Sequence, residues 1–459
     1  MSGGPARARR TSGGYQRRPS NQQPVKPPDR ARHTAWQLLR DVDEHDAYAN
    51  LRLPKLLDDA GLDARDRAFA TELGYGTLRT LGTLDFLIDR HTRGALDPAV
   101  RDALRLGAYQ LWRTRVPPRA AVATTVDLVR LIEPRASRLA NAVLRRVSED
   151  VEAGDLGAPD FADDPAGHLA VLHAHPRWIV EAFADVLGGD WDETRRALEG
   201  DDTRPEVHLV ARGLSREALL DAAGAGAQPG PWSPYAVRLT AGGDPAALAP
   251  VRAGQAAVQD EGSQLVALAL AGVDAPGPRV VDLASGPGGK AALLSARGLD
   301  VVGLERHLAR ARLVAGSGVP VAVADSRVPP LRPGSVDRVL LDAPCTGLGA
   351  LRRRPEARWR RQPSDVAPLA ALQRELLTSA LTAVHPGGVV AYVTCSPHRS
   401  ETVDVVEAVR ASAGVDTDLL DARAALPSGM PELGDGPMVQ LWPHRHGTDA
   451  MFLALLRRR

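Results

Sequence analysis

From about Gly254 to its C-terminus the chain alternates short apolar runs with helical stretches, and few architectures accommodate that pattern. The runs cover residues 279–284, 301–304, 319–324, 338–341 and 388–393, and stretches of helical periodicity such as 291–296 and 369–384 separate them. Runs this short and this apolar read as buried strands. Strand–helix alternation at this spacing predicts an α/β, Rossmann-like domain over residues 255–459, built on a doubly wound, mostly parallel sheet. Such a sheet takes its ligand at the carboxyl ends of its strands, so chemistry is sought in whatever follows each strand.

At 459 residues the chain is long enough for two or three domains. Residues 1–28 are mainly Gly, Pro, Ser, Gln and Arg and are expected to be a disordered basic tail. Residues 29–160 carry apolar positions at three- and four-residue steps, as in Ala35-Trp36-Gln37-Leu38-Leu39-Arg40-Asp41-Val42, with Pro98, Pro117, Pro118 and Pro134 between segments. They predict an all-helical bundle of about five to seven helices. Residues 161–254 mix helical and strand-like stretches before a Gly- and Pro-rich run, and are expected to form a small α+β linker domain. The formal charge of +1 provides no global field for a polyanion, so any nucleic acid must be met by local basic patches. No apolar run approaches the roughly 18 residues of a membrane span, and the N-terminus lacks a signal-peptide core. The expectation is a soluble, cytoplasmic monomer without membrane contact.

The first strand of the sheet runs into Ala284-Ser285-Gly286-Pro287-Gly288-Gly289-Lys290. Glycines there let the backbone close on a ligand, and the next helix aims its N-terminus at it. The turn is not a phosphate-cradling P-loop: the first glycine is missing and Ala291 stands where Ser or Thr should follow the lysine. The next strands end in Glu305, Asp325 and Asp342. Glu305 can hold both ribose hydroxyls of an adenosine, Asp325 can receive the adenine edge, and the three acids together suit a nucleoside with a positive sulfonium. Any one of them alone could simply cap a turn. The chain has three lysines, Lys26, Lys55 and Lys290, against an abundance of arginine, so Lys290 stands out. No metal is expected.

The two cysteines, Cys345 and Cys395, are too few for a disulfide scaffold. They could be buried small hydrophobes, one disulfide, or reacting groups. Each follows a strand, in Asp342-Ala343-Pro344-Cys345-Thr346-Gly347 and Tyr392-Val393-Thr394-Cys395-Ser396-Pro397, so both reach the rim where the ligand is expected. One chemistry needs thiols in that place. Carbon 5 of cytosine is a poor nucleophile, but a thiolate adding to carbon 6 makes the ring an enamine whose carbon 5 can attack a methyl sulfonium. A carboxylic acid that protonates ring N3 helps the addition. The target base must leave its stack to be reached.

These two segments resemble the paired cysteine motifs of RNA cytosine-C5 methyltransferases. Val258-Gln259-Asp260-Glu261-Gly262-Ser263-Gln264 and the Pro-Gly-Gly-Lys turn belong to the same pattern. In the helical region Asp66-Arg67-Ala68-Phe69-Ala70-Thr71-Glu72-Leu73, Tyr75-Gly76-Thr77-Leu78-Arg79, Leu104-Arg105-Leu106-Gly107-Ala108-Tyr109-Gln110-Leu111 and Asn141-Ala142-Val143-Leu144-Arg145-Arg146 resemble the NusB-type RNA-binding domain. Together they make the chain similar to the RsmB (Sun/Fmu) family over essentially everything after the tail. The resemblance implies S-adenosyl-L-methionine as cofactor and 16S ribosomal RNA, free or in an assembling small subunit, as partner. It implies that Cys395 is the nucleophile, that Cys345 assists product release, that Asp342 contacts the target base, and that Lys290 stands at the active-site end of the cofactor turn. Residues 284–290, Glu305, Asp325 and Asp342 are the expected cofactor contacts.

For RNA, the expected contacts are Arg145 and Arg146, and the loop Arg352-Arg353-Arg354-Pro355-Glu356-Ala357-Arg358-Trp359-Arg360-Arg361. Its arginines suit phosphates and Trp359 suits stacking on a base. Rival readings are a cytosine-C5 methyltransferase of transfer RNA or 23S RNA, a DNA cytosine methyltransferase, which would use the Pro-Cys cysteine, and a non-catalytic NusB-like RNA-binding protein.

Overall fold

The structure, a computed structural model, describes residues 29–240, 244–412 and 414–459. The tail at 1–28 lies outside the described residues. The front of the chain is a bundle of seven α-helices among the described residues: Arg30–Glu44, Ala49–Ala60, Ala64–Arg79, Leu81–Asp89, Pro98–Arg113, Pro118–Ile132 and Ser137–Ala153. Asp29, Asp63 and Asp97 start three of them by accepting backbone N–H groups that have no partner inside the helix. Each helix turns an apolar stripe inward, and Leu38, Leu73, Leu84, Leu104 and Leu144 meet in one core. Buried Arg40 bonds Asp102 at 2.8 Å and so ties the first helix to the fifth.

The segment expected as one α+β unit over 161–254 divides in two. Helices Pro165–Leu172, Arg177–Val186 and Trp191–Asp202 share a core with the C-terminal domain, where Ile179, Phe183 and Leu198 pack with Leu348, Leu351 and Trp442. An antiparallel sheet follows: β1 (Val207–Ala211), β2 (Ala227–Pro229), β3 (Ala236–Leu239) and β4 (Ala256–Val258), in the order β2-β3-β1-β4. β4 falls beyond residue 254 and still belongs here, because its backbone groups find their partners on β1.

The C-terminal domain holds β5 (Arg279–Asp282), β6 (Asp300–Glu305), β7 (Val321–Val323), β8 (Val336–Asp342), β9 (Val384–Thr394), β10 (Thr417–Leu420), β11 (Val439–Gln440) and β12 (Phe452–Arg458). The sheet runs β10-β12-β9-β8-β5-β6-β7, with β11 beside β12. β5 to β9 are parallel, while β12 runs antiparallel between β9 and β10. Alternate residues feed two cores: Val280, Leu340, Val389, Ala391 and Val393 on one face, and Val281, Val339, Leu341, Val390 and Tyr392 on the other. The chain winds outward from β5 through β6 to β7, then returns to place β8 on the other side of β5. The order reverses between β5 and β8, and a crevice opens there at the carboxyl ends.

Candidate active site

β5 and β8 end in Asp282 and Asp342, side by side at the reversal. The turn after β5 is held by Ser285 N donating to Leu304 O at 3.0 Å and Gly288 N to Ser285 O at 2.6 Å. A side chain at Gly286 would run into the Glu305 carboxylate, and one at Gly288 would lie 3.0 Å from the Val314 backbone at a φ of +100°. Glu305 is buried and accepts from Gly286 N at 3.1 Å and His307 N at 2.9 Å. Asp325 lies on the rim with its carboxylate bonded by Arg327 Nη2 at 2.6 Å, and these bonds hold it down to about 2. Asp282 is fully enclosed, and burial followed by the charge of Asp342 pushes its carboxyl up to about 7. Gln259 faces Gly289, and its buried Oε1 has no partner among the described residues.

The chemistry of this donor set fits S-adenosyl-L-methionine. A backbone turn that admits no side chain leaves room for a ligand, and Glu305 offers a carboxylate to a ribose. Asp282 and the unpartnered Gln259 oxygen add buried polar groups that suit its positively charged end.

Cys345 and Cys395 leave the adjacent strands β8 and β9. Ala343 N donates to Val393 O at 2.8 Å and Gly349 N to Cys395 O at 2.9 Å, so the two loops run together. Both cysteines are free, and their Sγ atoms stand 3.4 Å apart. The hydrogen bond between them splits the pair. It draws the Cys395 thiol below the ordinary thiol range, helped by Lys290 and opposed by burial, Asp342 and Asp449. It drives the Cys345 thiol well up, together with burial and nearby acids. Lys290 Nζ lies 2.6 Å from Asp342 Oδ2; burial disfavours its charge, and the Asp342 carboxylate more than restores it. The four residues expected to do chemistry thus occupy one site.

The arginine loop requires a correction. Arg352 and Arg353 turn inward onto Asp260 and Asp449, with contacts of 2.6–2.9 Å. Arg358 is wholly buried: its guanidinium donates to Arg79 O and Asp201 O at 2.8–2.9 Å and meets Asp202 Oδ1 at 2.8 Å. Those carbonyls end the helices Ala64–Arg79 and Trp191–Asp202, where backbone acceptors lack helical partners. Trp359 packs against Gly82, where any side chain would strike the indole, and Arg360 donates to Val42 O and Ala47 O at 2.8 Å. Arg352 and Arg353 are therefore engaged within the C-terminal domain, and Arg358 and Trp359 in joining it to the helices before it, rather than standing free on a surface for RNA. Arg354 is exposed, over the Tyr48 ring, and Arg145 and Arg146 are exposed on the helix Ser137–Ala153.

Sequence reasoning missed Asp282, although it closes a strand just as Glu305 and Asp342 do. It assigned no role to Gln259, buried beside the glycine turn, or to Asp260, Asp449 and Glu401, each buried and hydrogen-bonded to the segment that follows Cys345.

A doubly wound sheet with a glycine turn after its first strand, an acid after the next, an antiparallel strand between β9 and β10 and two thiols at its rim fits an S-adenosylmethionine-dependent methyltransferase, here with a helical domain in front. Residues 268–457 match the family described as 16S rRNA methyltransferase RsmB/F, and residues 29–149 match the NusB family. A Mycobacterium tuberculosis protein, provisionally named a methyltransferase with no substrate in its name, is 53% identical over 94% of this chain and 97% of its own length. Ribosomal RNA small subunit methyltransferase B of Salmonella agona is 33% identical over 84% of this chain and 90% of its own. The crystal structure of PH0851 shares the fold, with a TM-score of 0.74 at 22% identity over 94% of this chain and 99% of that one. The chain belongs to the RsmB/F family of methyltransferases.

Proposed function

We propose that the chain transfers a methyl group from S-adenosyl-L-methionine to carbon 5 of a cytosine in 16S ribosomal RNA, through a covalent bond between Cys395 and carbon 6. The observation that carries this reading is the pair of free thiols 3.4 Å apart beside the Lys290–Asp342 pair. The cofactor, held by residues 284–290, Glu305, Asp325 and the two newly found acceptors Asp282 and Gln259, supplies an electrophilic methyl group. Cys395, the more acidic thiol, adds to carbon 6. The Lys290–Asp342 pair gives ring N3 a proton as the sulfur adds, so the ring becomes an enamine nucleophilic at carbon 5. Once carbon 5 is methylated its proton passes to a base, and the bond from carbon 6 to Cys395 breaks as ring N3 returns its proton to the Lys290–Asp342 pair. Cys345 then hydrogen-bonds the departing thiolate, which makes it a better leaving group. The helical domain holds RNA through exposed arginines such as Arg145 and Arg146. With ribosomal RNA as substrate, the protein works in the cytoplasm, and a single chain contains the whole site.

The test is methyl transfer from labelled S-adenosyl-L-methionine to 16S RNA lacking its own methylation, with 23S RNA and transfer RNA in parallel. The expected product is 5-methylcytosine in 16S RNA alone. Label in another RNA would overturn the substrate, and label on another base or atom would overturn the chemistry.

A further inference from the structure

Glu401 is fully buried six residues beyond Cys395, on a short turn that reads as surface. Its partners are donors from both cysteine loops. Thr346, next to Cys345, donates its N–H to Oε1 at 2.8 Å and its hydroxyl to Oε2 at 2.5 Å. Ser396, next to Cys395, donates its hydroxyl to Oε2 at 2.7 Å. Gln373, from the helix Val366–Ala383, donates to Oε1 at 3.2 Å and to Pro344 O, just before Cys345, at 2.8 Å. Tyr392 of β9 donates to Glu401 O at 2.7 Å. A carboxylate taken out of water needs several charge-assisted hydrogen bonds in compensation, and a carboxylate so bonded fixes the groups that bond it. Two of the bonded residues here, Thr346 and Ser396, sit one residue from each sulfur.

We propose that Glu401 is a positioning residue that staples the two cysteine loops and so sets the Sγ–Sγ separation on which the Cys345–Cys395 hydrogen bond depends. It touches neither substrate nor cofactor. The inference rests on the thiolate reading above for its catalytic consequence, but not for its geometry. Displacing one sulfur by an ångström weakens a bond that is strong only at contact, and misplacements of that size cost about 10²-fold in rate. The negative charge also opposes ionisation of Cys345, which keeps that thiol a donor. Cys395 faces Cys345, Lys290 from the helix Gly289–Ala296, Asp342 from the end of β8 and Asp449 from the C-terminal loop, and Glu401 acts on it through the first of these.

The test uses E401Q, which keeps the shape of the side chain but loses the charge and one acceptor, and S396A, which removes a single donor and carries the same measurements should E401Q fail to fold. Diamide, which accepts the two protons and two electrons released as two thiols become a disulfide, reads the closeness of the sulfurs without RNA or cofactor. In E401Q we expect disulfide closure at least tenfold slower, iodoacetamide alkylation of Cys395 shifted to higher pH, and kcat about 10²-fold lower with KM for RNA unchanged. S396A should move each in the same direction by less. Closure at the wild-type rate with an unshifted alkylation profile would overturn the staple. Slow closure with undiminished turnover would overturn the thiolate mechanism while leaving the staple standing.

Discussion

Replacing Arg358 by alanine should destabilise the protein without touching its reacting groups. The guanidinium is wholly buried and bonded to Arg79 O, Asp201 O and Asp202 Oδ1. Removing one partner from a buried pair costs about 3–5 kcal/mol, because the other charge is left without compensation. Two local features favour the lower end. His173 Nδ1 remains 3.4 Å from the second Asp202 oxygen, and Arg79, whose charge is disfavoured by burial and by Arg358, is relieved. A loss of about 3 kcal/mol corresponds to a fall in Tm of about 6–12 °C for a unit of 150–250 residues. Calorimetry of R358A beside R354A reads it, since exposed Arg354 should change stability by no more than about 0.5 kcal/mol. Filter binding to RNA at two salt concentrations completes the comparison. An R358A protein that melts with the wild type and instead loses RNA affinity would refute the reasoning and return the loop to the RNA surface.

Cys345→Ala should let a covalent RNA adduct accumulate as a retarded band in a denaturing gel, and Cys395→Ala should abolish both adduct and turnover; a band from Cys395→Ala instead would exchange the two roles. Asp282 holds its proton up to about pH 7 in the folded chain and to about pH 4 when unfolded. The folded state therefore binds more protons between those values, and stability of the cofactor-free protein falls as pH rises through that window. Asp282→Asn removes this dependence, gaining up to about 4 kcal/mol over wild type at pH 8 and little at pH 4; urea midpoints that differ equally at both pH values would contradict it. Arg145→Ala with Arg146→Ala should reduce the slope of log K against log salt by about 1.4–1.8, as two phosphate contacts disappear. An unchanged slope moves the RNA elsewhere on the bundle.

The parallel sheet was legible because strands buried on both faces leave short apolar runs, and 279–284, 301–304 and 338–341 coincide with β5, β6 and β8. The last strand was not, since β12 is specified by its antiparallel neighbours β9 and β10, which its own residues do not name. The cysteines were legible through the chemistry of their surroundings. The arginine loop was misread because Arg358 has the same charge in water as in a clamp, and the acceptors that bury it lie some 150 and 280 residues away. Glu401 was invisible for the same reason: Arg399-Ser400-Glu401-Thr402 looks like solvated surface until Thr346 and Gln373 are brought to it.

The clamp formed by Arg358, Trp359 and Arg360 also gives the protein a fixed span. These residues belong to the loop that begins at Cys345, and they grip the helical bundle at Arg79, Gly82, Val42 and Ala47. An RNA seated on the bundle therefore meets the thiols at one distance and from one direction. On the function proposed above, the target base is chosen by measurement along the RNA as well as by recognition of the base: a substrate with base pairs inserted between the grip and the target would present a different nucleotide to the same pair of sulfurs.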